Sequence, residues 1–293
     1  MQRRVLVLGG SVAFSLASCS NANSGTNDEN APPTDIAQLN LRNGIAIDVA
    51  YLGLDRTERA DLYLPARGTG KAPAVVIIHG GGYIAGDKAD PKVKEIAVFL
   101  ASIGYAALSI NYKLALPGAR EPPFPRNLMD CKIAVRWLRA NADKLRLNSS
   151  EIAALGMSAG ATLAAMLAVT AGVKDLDPAS PFSGISTAIQ AAVLFYPPMG
   201  DKNSNKYSFG FGRKPPVTYL RPGLPPILLL QGEKDRLVPM EDTKEVAADL
   251  TRGRVENQLV IVPADGHGFG LPPSSSLRPV VQTFLAAHLM SKT

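Results

Sequence analysis

The chain has 293 residues, of which 46% are hydrophobic and 19% are charged. This composition is typical of one large globular domain, and it excludes a disordered chain and a multispanning membrane protein. The formal net charge of +6 is scattered along the sequence. Because no basic run or aromatic-interleaved basic stripe is present, we expect no nucleic-acid partner.

Residues 1–18 have the three zones of a signal peptide. Arg3 and Arg4 form a positive start, residues 5–16 are apolar, and Leu-Ala-Ser-Cys at 16–19 closes the segment. The apolar zone, about a dozen residues long, is too short to cross a bilayer as a permanent helix. The closing tetrapeptide resembles the lipobox of bacterial lipoproteins, and this resemblance implies that Cys19 is lipidated and becomes the first residue.

Residues 19–40 are then the lipidated cysteine and a flexible tether, because the segment is polar, rich in Asn and Ser, and unable to bury apolar area. We therefore expect a protein anchored by lipid in the bacterial cell envelope. Ser20 after the cysteine favours the outer membrane, whereas an unmodified Cys19 would leave a secreted protein. Cys131, the second cysteine, would have no partner for an internal disulfide and is predicted to be a buried, inert thiol.

Residues 41–293 are predicted to form one catalytic domain of the α/β class. Two alternating segments, 45–52 and 60–65, predict an opening antiparallel pair of strands. Continuous apolar runs then alternate with helical periodicities, which predicts a mostly parallel, twisted sheet with helices on both faces. The predicted buried strands cover 74–78, 106–112, 152–157, 191–196, 227–231 and 258–262. The predicted helices cover 93–103, 128–145, 159–171, 241–250 and 277–290.

Residues 197–226 interrupt this alternation with a stretch rich in Pro, Gly and Lys that also carries four aromatic residues. Loops of this length in compact domains often form lids or binding walls. A surface excursion with a few packed aromatic side chains explains the composition equally well, and the sequence does not decide between the two.

Ser158 is the predicted nucleophile. It stands in Gly-Met-Ser-Ala-Gly at 156–160, between a predicted buried strand and a predicted helix. A nucleophilic serine needs a sharp strand-to-helix turn that exposes its hydroxyl, and the cramped backbone there tolerates only small neighbours. The helix N-terminus that follows favours developing negative charge.

A glycine-rich segment, His79 followed by Gly80, Gly81 and Gly82, comes directly after the predicted strand 74–78. Three glycines allow backbone N–H groups to approach a tetrahedral oxyanion without side-chain clash. A Gly-rich turn or a phosphate loop is the alternative, but the Walker and dinucleotide-binding spacings are both absent.

Asp235 and His267 follow two consecutive predicted strands, at the edge where open α/β sheets place ligands. The chain order Ser158, Asp235, His267 is the order that this fold uses, with His267 as the general base and Asp235 as its orienting acid. Glu233 and Asp265 are the competing acids, and Asp265 lies so close to His267 that we expect it to cap a turn. His288 is expected at a solvated helix position.

In combination these motifs resemble the hormone-sensitive-lipase-like and feruloyl-esterase-like branch of the α/β-hydrolases, over residues 45–290. The matching segments are 79–83, 86–88, 111–114, 124–125, 134–138, 156–160, 232–239 and 266–269. The resemblance implies that Gly81, Gly82 and Ala159 supply oxyanion N–H groups and that His79 and Gly80 support that loop. This chain departs from many members at Met157 and Ala161, and residues 20–44 are too short and polar for a helical cap.

The resulting hypothesis is a serine carboxylesterase that acts through an acyl-enzyme on short-chain or aromatic esters, with carbohydrate-linked esters suggested by the missing cap. No metal-ligand spacing is present, and neither a metal nor an organic cofactor is expected. Two alternatives stay open: an α/β-hydrolase peptidase or amidase, and a non-catalytic, lipid-anchored binding protein on the same scaffold. The sequence does not indicate an oligomeric state.

Overall fold

The computed structural model describes residues 36, 39–66, 68, 70–119, 123–199 and 215–289. The predicted signal peptide, Cys19 and nearly all of the predicted tether lie outside the described residues. The middle of the long loop, residues 200–214, lies outside them as well. The division into leader, tether and catalytic domain therefore stays a prediction.

Among the described residues, eight strands form one sheet in the order β1-β2-β4-β3-β5-β6-β7-β8. The strands β1, β2 and β4 pair antiparallel, and every other pair is parallel. The strands are β1 Ile45–Val49, β2 Ala60–Tyr63, β3 Ala72–Ile78, β4 Ala106–Ile110, β5 Leu147–Met157, β6 Ala191–Phe195, β7 Ile227–Gly232 and β8 Asn257–Val262. The opening antiparallel pair and the mostly parallel sheet are thus confirmed.

Helices cover both faces of this sheet. In the described part of the chain they are α1 Pro91–Ser102, α2 Arg126–Ala140, α3 Ala142–Leu145, α4 Ala159–Val169, α5 Met240–Arg252 and α6 Leu277–Leu289. Alternate residues of a strand face opposite sides. In β3, Val76 and Ile78 join the core cluster that contains α2 and α4, whereas Val75 and Ile77 join the cluster that contains α1 and α6. This two-sided burial explains the continuous apolar run of β3.

Two predicted elements differ most from the structure in their bounds, and the predicted burial of one strand was wrong. β5 starts at Leu147 rather than at residue 152, because Leu147 pairs with Ala72 across a register shift. The predicted helix 128–145 is two helices, separated at Asn141, whose side-chain amide donates to the Trp137 carbonyl over 2.8 Å. β8 was predicted to be doubly covered, but it is an edge strand and is only partly buried.

Residues 215–226 of the long loop pack against helices on one face of the sheet. Its short 3-10 helix, Pro216–Tyr219, contacts α4 and α5. Tyr219, Leu220 and Leu224 pack against the core on that face. For residues 215–226 the surface excursion with packed side chains is therefore the observed arrangement, while the aromatic residues at 207, 209 and 211 lie outside the described residues.

Cys131 is a free, fully buried thiol, and burial raises its pKa well above the usual range, so it is unreactive as predicted. The solvated position expected for His288 was only partly right. Its ring packs edge-on against Phe284, and its Nε2 lies 3.6 Å from the Glu256 carboxylate. Within the described ranges, no helix has the length and apolar character needed to cross a membrane.

Candidate active site

Ser158 occupies a strained turn between β5 and α4. Its backbone has φ 52° and ψ −122°, a combination that costs a residue with a side chain about 1–3 kcal/mol. The turn is held because the Ser158 N–H donates to the Phe195 carbonyl over 3.0 Å. Gly160 lets α4 approach β3 here, since a Cβ on it would overlap with the Ile78 and His79 carbonyls. The predicted elbow is therefore the observed local structure.

The structure brings Ser158, His267 and Asp235 together. His267 Nε2 lies 2.9 Å from Ser158 Oγ, and His267 Nδ1 lies 2.9 Å from Asp235 Oδ2. An ionised carboxylate only accepts hydrogen bonds, so Nδ1 carries the proton and Nε2 offers its lone pair to the Ser158 hydroxyl. The Asp235 side chain is fully buried and the His267 side chain is 23% exposed. This arrangement can transfer the serine proton to the imidazole.

Asp235, rather than its two competitors, faces the imidazole. Its Oδ1 accepts the backbone N–H groups of Leu237 and Val238 over 2.9 and 2.8 Å. Glu233 instead accepts the Ala264 N–H over 3.1 Å, and the backbone carbonyl of Asp265 accepts the Lys234 N–H. The carboxylate that bridges this turn is thus Glu233, whereas turn capping had been expected of Asp265.

Residues 79–86, here called the glycine loop, lead from the end of β3 past Ser158. Gly81 has φ 110° and Gly82 has φ 62°, values that favour glycine. Both glycines line one cavity together with Ser158, and within the described residues their N–H groups donate to no acceptor. Ala159 is the first residue of α4, where helical N–H groups also have no intrahelical partner. The three predicted oxyanion donors therefore border the serine turn.

His79 anchors the start of the glycine loop. Its ring stacks on Tyr112, with 4.5 Å between ring centroids, and the Tyr112 hydroxyl donates to the His79 carbonyl over 3.0 Å. The imidazole Nδ1 lies 2.7 Å from the Gly80 carbonyl. Burial lowers the pKa of His79, so the ring is neutral and Nδ1–H donates to Gly80.

A partly buried polar network holds the other end of the glycine loop. Asn111 accepts the Lys88 N–H over 2.6 Å and donates to the Asp87 carboxylate over 2.7 Å. Burial opposes the charge on Asp87, but the hydrogen bonds from Asn111 and Ala89 outweigh it and lower the pKa of that carboxyl. The buried Lys88 ammonium lies 2.8 Å from Asp61, and its ion pairs raise its pKa despite desolvation.

The cavity at Ser158 has a volume of about 550 Å³ and opens to solvent. Its walls are the glycine loop, the start of α1, and residues beside Asp235 and His267. Among the described residues, Asp90 and Lys92 are its charged lining groups. Leu237, at the rim, is 63% exposed. Elsewhere in the described chain, no group of three or more His, Cys, Asp or Glu side chains is placed to hold a metal ion.

Two residues that the sequence analysis did not single out contact the site. Tyr196 packs its ring 4.5 Å from the His267 ring, and its hydroxyl donates to the Phe269 carbonyl over 3.2 Å. Gln231 donates to Asp235 Oδ2 over 3.2 Å. The sequence signal for Gln231 was its polar side chain next to the end of an otherwise apolar strand. No local pattern identifies Tyr196, because its contacts arise from tertiary packing.

Comparison with known families agrees with this geometry. The BD-FAE family matches residues 60–206, just over half of the chain. The chain belongs to the BD-FAE family. A second family, described as TAP-like protein, matches residues 210–291. The BD-FAE match and the sheet topology confirm the predicted α/β-hydrolase fold, of the kind found in esterases.

Two of the relatives with curated names are esterases of Mycobacterium tuberculosis. Esterase LipC of Mycobacterium tuberculosis is 28% identical over 227 residues, which cover 69% of this chain and 54% of LipC. Esterase LipQ of the same organism is 27% identical over 252 residues, which cover 78% of this chain and 57% of LipQ. This BD-FAE chain thus spans about half the length of the curated relatives it matches.

Among solved structures, the esterase Est2 of Thermogutta terrifontis superimposes with a TM-score of 0.67 at 26% identity, covering 81% of this chain and 88% of Est2. A propionate-bound form of Est2 superimposes with a TM-score of 0.66 at the same identity, covering 81% of this chain and 90% of Est2.

Proposed function

We propose that this BD-FAE chain is a serine carboxylesterase with Ser158 as the nucleophile, His267 as the general base and Asp235 as the acid. The observation that carries the proposal is the continuous contact from Asp235 through His267 to Ser158, with 2.9 Å at each step. The strained serine turn and the adjoining Gly81 and Gly82 support the same reading of the site.

In the proposed reaction, the Ser158 hydroxyl attacks the ester carbonyl while His267 Nε2 takes its proton. The oxyanion is stabilised by the N–H groups of Gly81, Gly82 and Ala159; loss of one such donor in other enzymes costs about 3–4 kcal/mol. His267 then returns the proton to the leaving alcohol, and Asp235 stabilises the imidazolium between these steps. Water hydrolyses the acyl-enzyme by the same proton transfers in reverse order.

The open, mostly uncharged cavity supports esters with short acyl or aromatic groups. A cavity of about 550 Å³ accommodates a small acyl group, and the opening leaves room for a bulky or polymeric alcohol such as a carbohydrate. The propionate-bound form of Est2 is consistent with a short acyl group at a site of this fold. No metal or organic cofactor takes part in this proposal.

The test uses the full chain and its Ser158→Ala variant on p-nitrophenyl esters of increasing acyl length, acetylated xylan and methyl ferulate. We expect turnover of acetate or butyrate esters, and a fall in kcat of about 10⁴-fold or more in a folded Ser158→Ala protein. Acetylated xylan and methyl ferulate then decide between carbohydrate-linked and aromatic esters. Inactivity of the folded parent chain on every ester would refute the esterase and favour an amidase or a binding protein. Preferential hydrolysis of long-chain esters would refute the short-chain assignment.

The proposed location rests on the leader alone. Arg3, Arg4, the apolar segment and the 16–19 tetrapeptide support a lipidated Cys19 that anchors the enzyme in the bacterial envelope, with Ser20 favouring the outer membrane. Acyl chains stabilise membrane attachment by about 0.8 kcal/mol per buried methylene. We expect Cys19→Ala to move the protein from the membrane fraction to the soluble fraction. An unchanged fraction would refute the lipid anchor.

A further inference from the structure

Gln231 is a polar side chain at a position where the strand alone would favour an apolar one. It is the fifth residue of β7, every residue of which is buried, and it has no exposed surface. A buried amide without partners costs several times the free energy of an ordinary hydrogen bond. Both the nitrogen and the oxygen of the Gln231 amide therefore need hydrogen-bond partners.

The contacts of Gln231 define the orientation of its amide. Nε2 lies 2.9 Å from the Val238 carbonyl, which can only accept, so this atom is the nitrogen. The amide oxygen then accepts the hydroxyl of Thr243 over 2.8 Å. Thr243 belongs to α5 and has no exposed surface. Helix α5 thereby fixes the side chain of Gln231.

The same Nε2 lies 3.2 Å from Asp235 Oδ2, the oxygen that also contacts His267 Nδ1. Leu237 and Val238 bind only Oδ1, so among the described residues Gln231 is the donor besides His267 that contacts the oxygen facing the imidazole. A carboxylate held at one oxygen can still tilt about that contact, whereas one held at both cannot.

We propose that Gln231, braced by Thr243, is a positioning residue that fixes the carboxylate of Asp235 and, through it, the imidazole of His267. The expected fall in kcat rests on the proposed esterase function, whereas the fixed position of the Asp235 carboxylate and the His267 imidazole does not. Neither Gln231 nor Thr243 lines the cavity at Ser158. Their replacement therefore changes the chemical step and leaves substrate binding unchanged.

The test compares the full chain with Gln231→Met, which keeps the length of the side chain but removes the amide, and with Thr243→Val, which removes only the hydroxyl. Thr170→Val is the matched control, because the Thr170 hydroxyl is equally buried and donates to the Met166 carbonyl away from the site. We expect Gln231→Met to lower kcat by about 10- to 100-fold, the range found for partners that orient metal-binding histidines. KM should stay within about twofold, Thr243→Val should lower kcat by a smaller factor, and Thr170→Val should leave it unchanged.

A proton NMR spectrum separates this inference from the proposed function. An imidazole N–H that donates to a carboxylate gives a far-downfield resonance, which His267→Ala assigns. We expect the resonance to shift or broaden in Gln231→Met, and to a smaller extent in Thr243→Val, but not in Thr170→Val. If the parent chain hydrolyses no ester, the proposed function fails while this spectrum still tests Gln231. An unchanged resonance in both variants, or an equal loss of kcat in Thr170→Val, would overturn the inference. If Gln231→Met does not fold, Thr243→Val decides it.

Discussion

The glycine loop and the histidine loop (residues 263–270) meet at Ser158, but the fold holds them in different ways. Hydrogen bonds anchor both ends of the glycine loop: the buried Tyr112 hydroxyl at His79, and the partly buried Asn111 amide just beyond Gly86. The backbone of the glycine loop also packs closely on itself, because a Cβ on Gly86 would overlap with the Gly80 carbonyl. The histidine loop is bonded to its surroundings as well: the Ala264 N–H donates to Glu233, the Lys234 N–H to the Asp265 carbonyl and the Tyr196 hydroxyl to the Phe269 carbonyl. A Cβ on Gly266 or Gly270, however, would meet no atom of the described residues closer than 3.5 Å.

This difference corresponds to the chemistry proposed for each loop. Oxyanion donors stabilise a transition state only if they are already in place when charge develops, so a rigid loop serves them. The imidazole must accept a proton from Ser158 and deliver it to a second oxygen, which small adjustments of the histidine loop assist. The comparison therefore predicts that equivalent changes harm the glycine loop more than the histidine loop.

The largest contrast is expected from adding one methyl group to each loop. In Gly86→Ala, the new Cβ would overlap with the Gly80 carbonyl and the His79 ring at a backbone φ of 103°. In Gly270→Ala, the new Cβ would make an ordinary 3.6 Å contact with the Lys92 side chain. We expect Gly86→Ala to lower kcat/KM by more than about 100-fold and to destabilise the fold by about 1–3 kcal/mol. Thermal unfolding and ester hydrolysis measure both effects, and an equal effect of Gly270→Ala would break the comparison.

A smaller effect is expected from the Tyr112 hydroxyl. Tyr112→Phe keeps the ring stacked on His79 but removes the donor to the His79 carbonyl, leaving that buried carbonyl with one partner fewer. Such a loss destabilises by about 1–2 kcal/mol, and we expect kcat to fall by about tenfold because the glycine loop shifts. Steady-state kinetics on a p-nitrophenyl ester measures the change. Full activity in this variant would contradict a rigid glycine loop.

The protonation of His79 should link the glycine loop to pH. Burial lowers its pKa in the folded state, so below about 6.5, the ordinary value, the unfolded chain takes up a proton that the folded chain does not. This contribution of His79 to the free energy of unfolding is fully present above pH 6.5. It is lost as the pH falls toward the pKa of His79 in the folded state, by at most about 1.4 kcal/mol per pH unit. Urea unfolding between pH 7.5 and pH 5 is the measurement. The variant His79→Asn keeps a donor for the Gly80 carbonyl and should show a shallower slope, and an identical slope would remove His79 as the cause.

The smallest effect is expected from Tyr196→Phe, the counterpart of the Tyr112 variant in the histidine loop. The hydroxyl bond to Phe269 is longer, at 3.2 Å, and the ring contact with His267 remains. We expect kcat to change by only about twofold, because the net value of one such bond is about 1 kcal/mol or less. The same ester assay tests it, and a loss as large as that of Tyr112→Phe would show that the histidine loop is also rigid.

Much of the site follows from local sequence because its demands are local. The turn at Ser158 requires small residues at Gly156 and Gly160, and a loop of donors requires glycines after β3. A continuous apolar run predicts a strand covered on both faces, because every side chain of such a strand is buried, as in β3. These patterns indicated where Ser158, Asp235 and His267 would meet, with Glu233 and Asp265 as the competing acids.

The remaining features depend on partners far away in sequence. β5 begins at Leu147, which pairs with the distant Ala72, and the predicted long helix ends at Asn141, whose side-chain amide donates to the Trp137 carbonyl. Tyr196 meets His267 across 71 positions of sequence through packing alone. Gln231 was visible as an anomaly in an apolar strand, but its partner Thr243 became evident only once α5 was placed beside β7.

The central claim is that His267 makes Ser158 the nucleophile, and covalent labelling tests it most directly. The full chain, treated with a fluorophosphonate, should gain one adduct by intact mass, and peptide mapping should locate it on Ser158. Ser158→Ala should gain none, and His267→Ala should react at least about 100-fold more slowly, because its serine lacks a base. Labelling at another residue, or an unchanged rate without His267, would contradict the account.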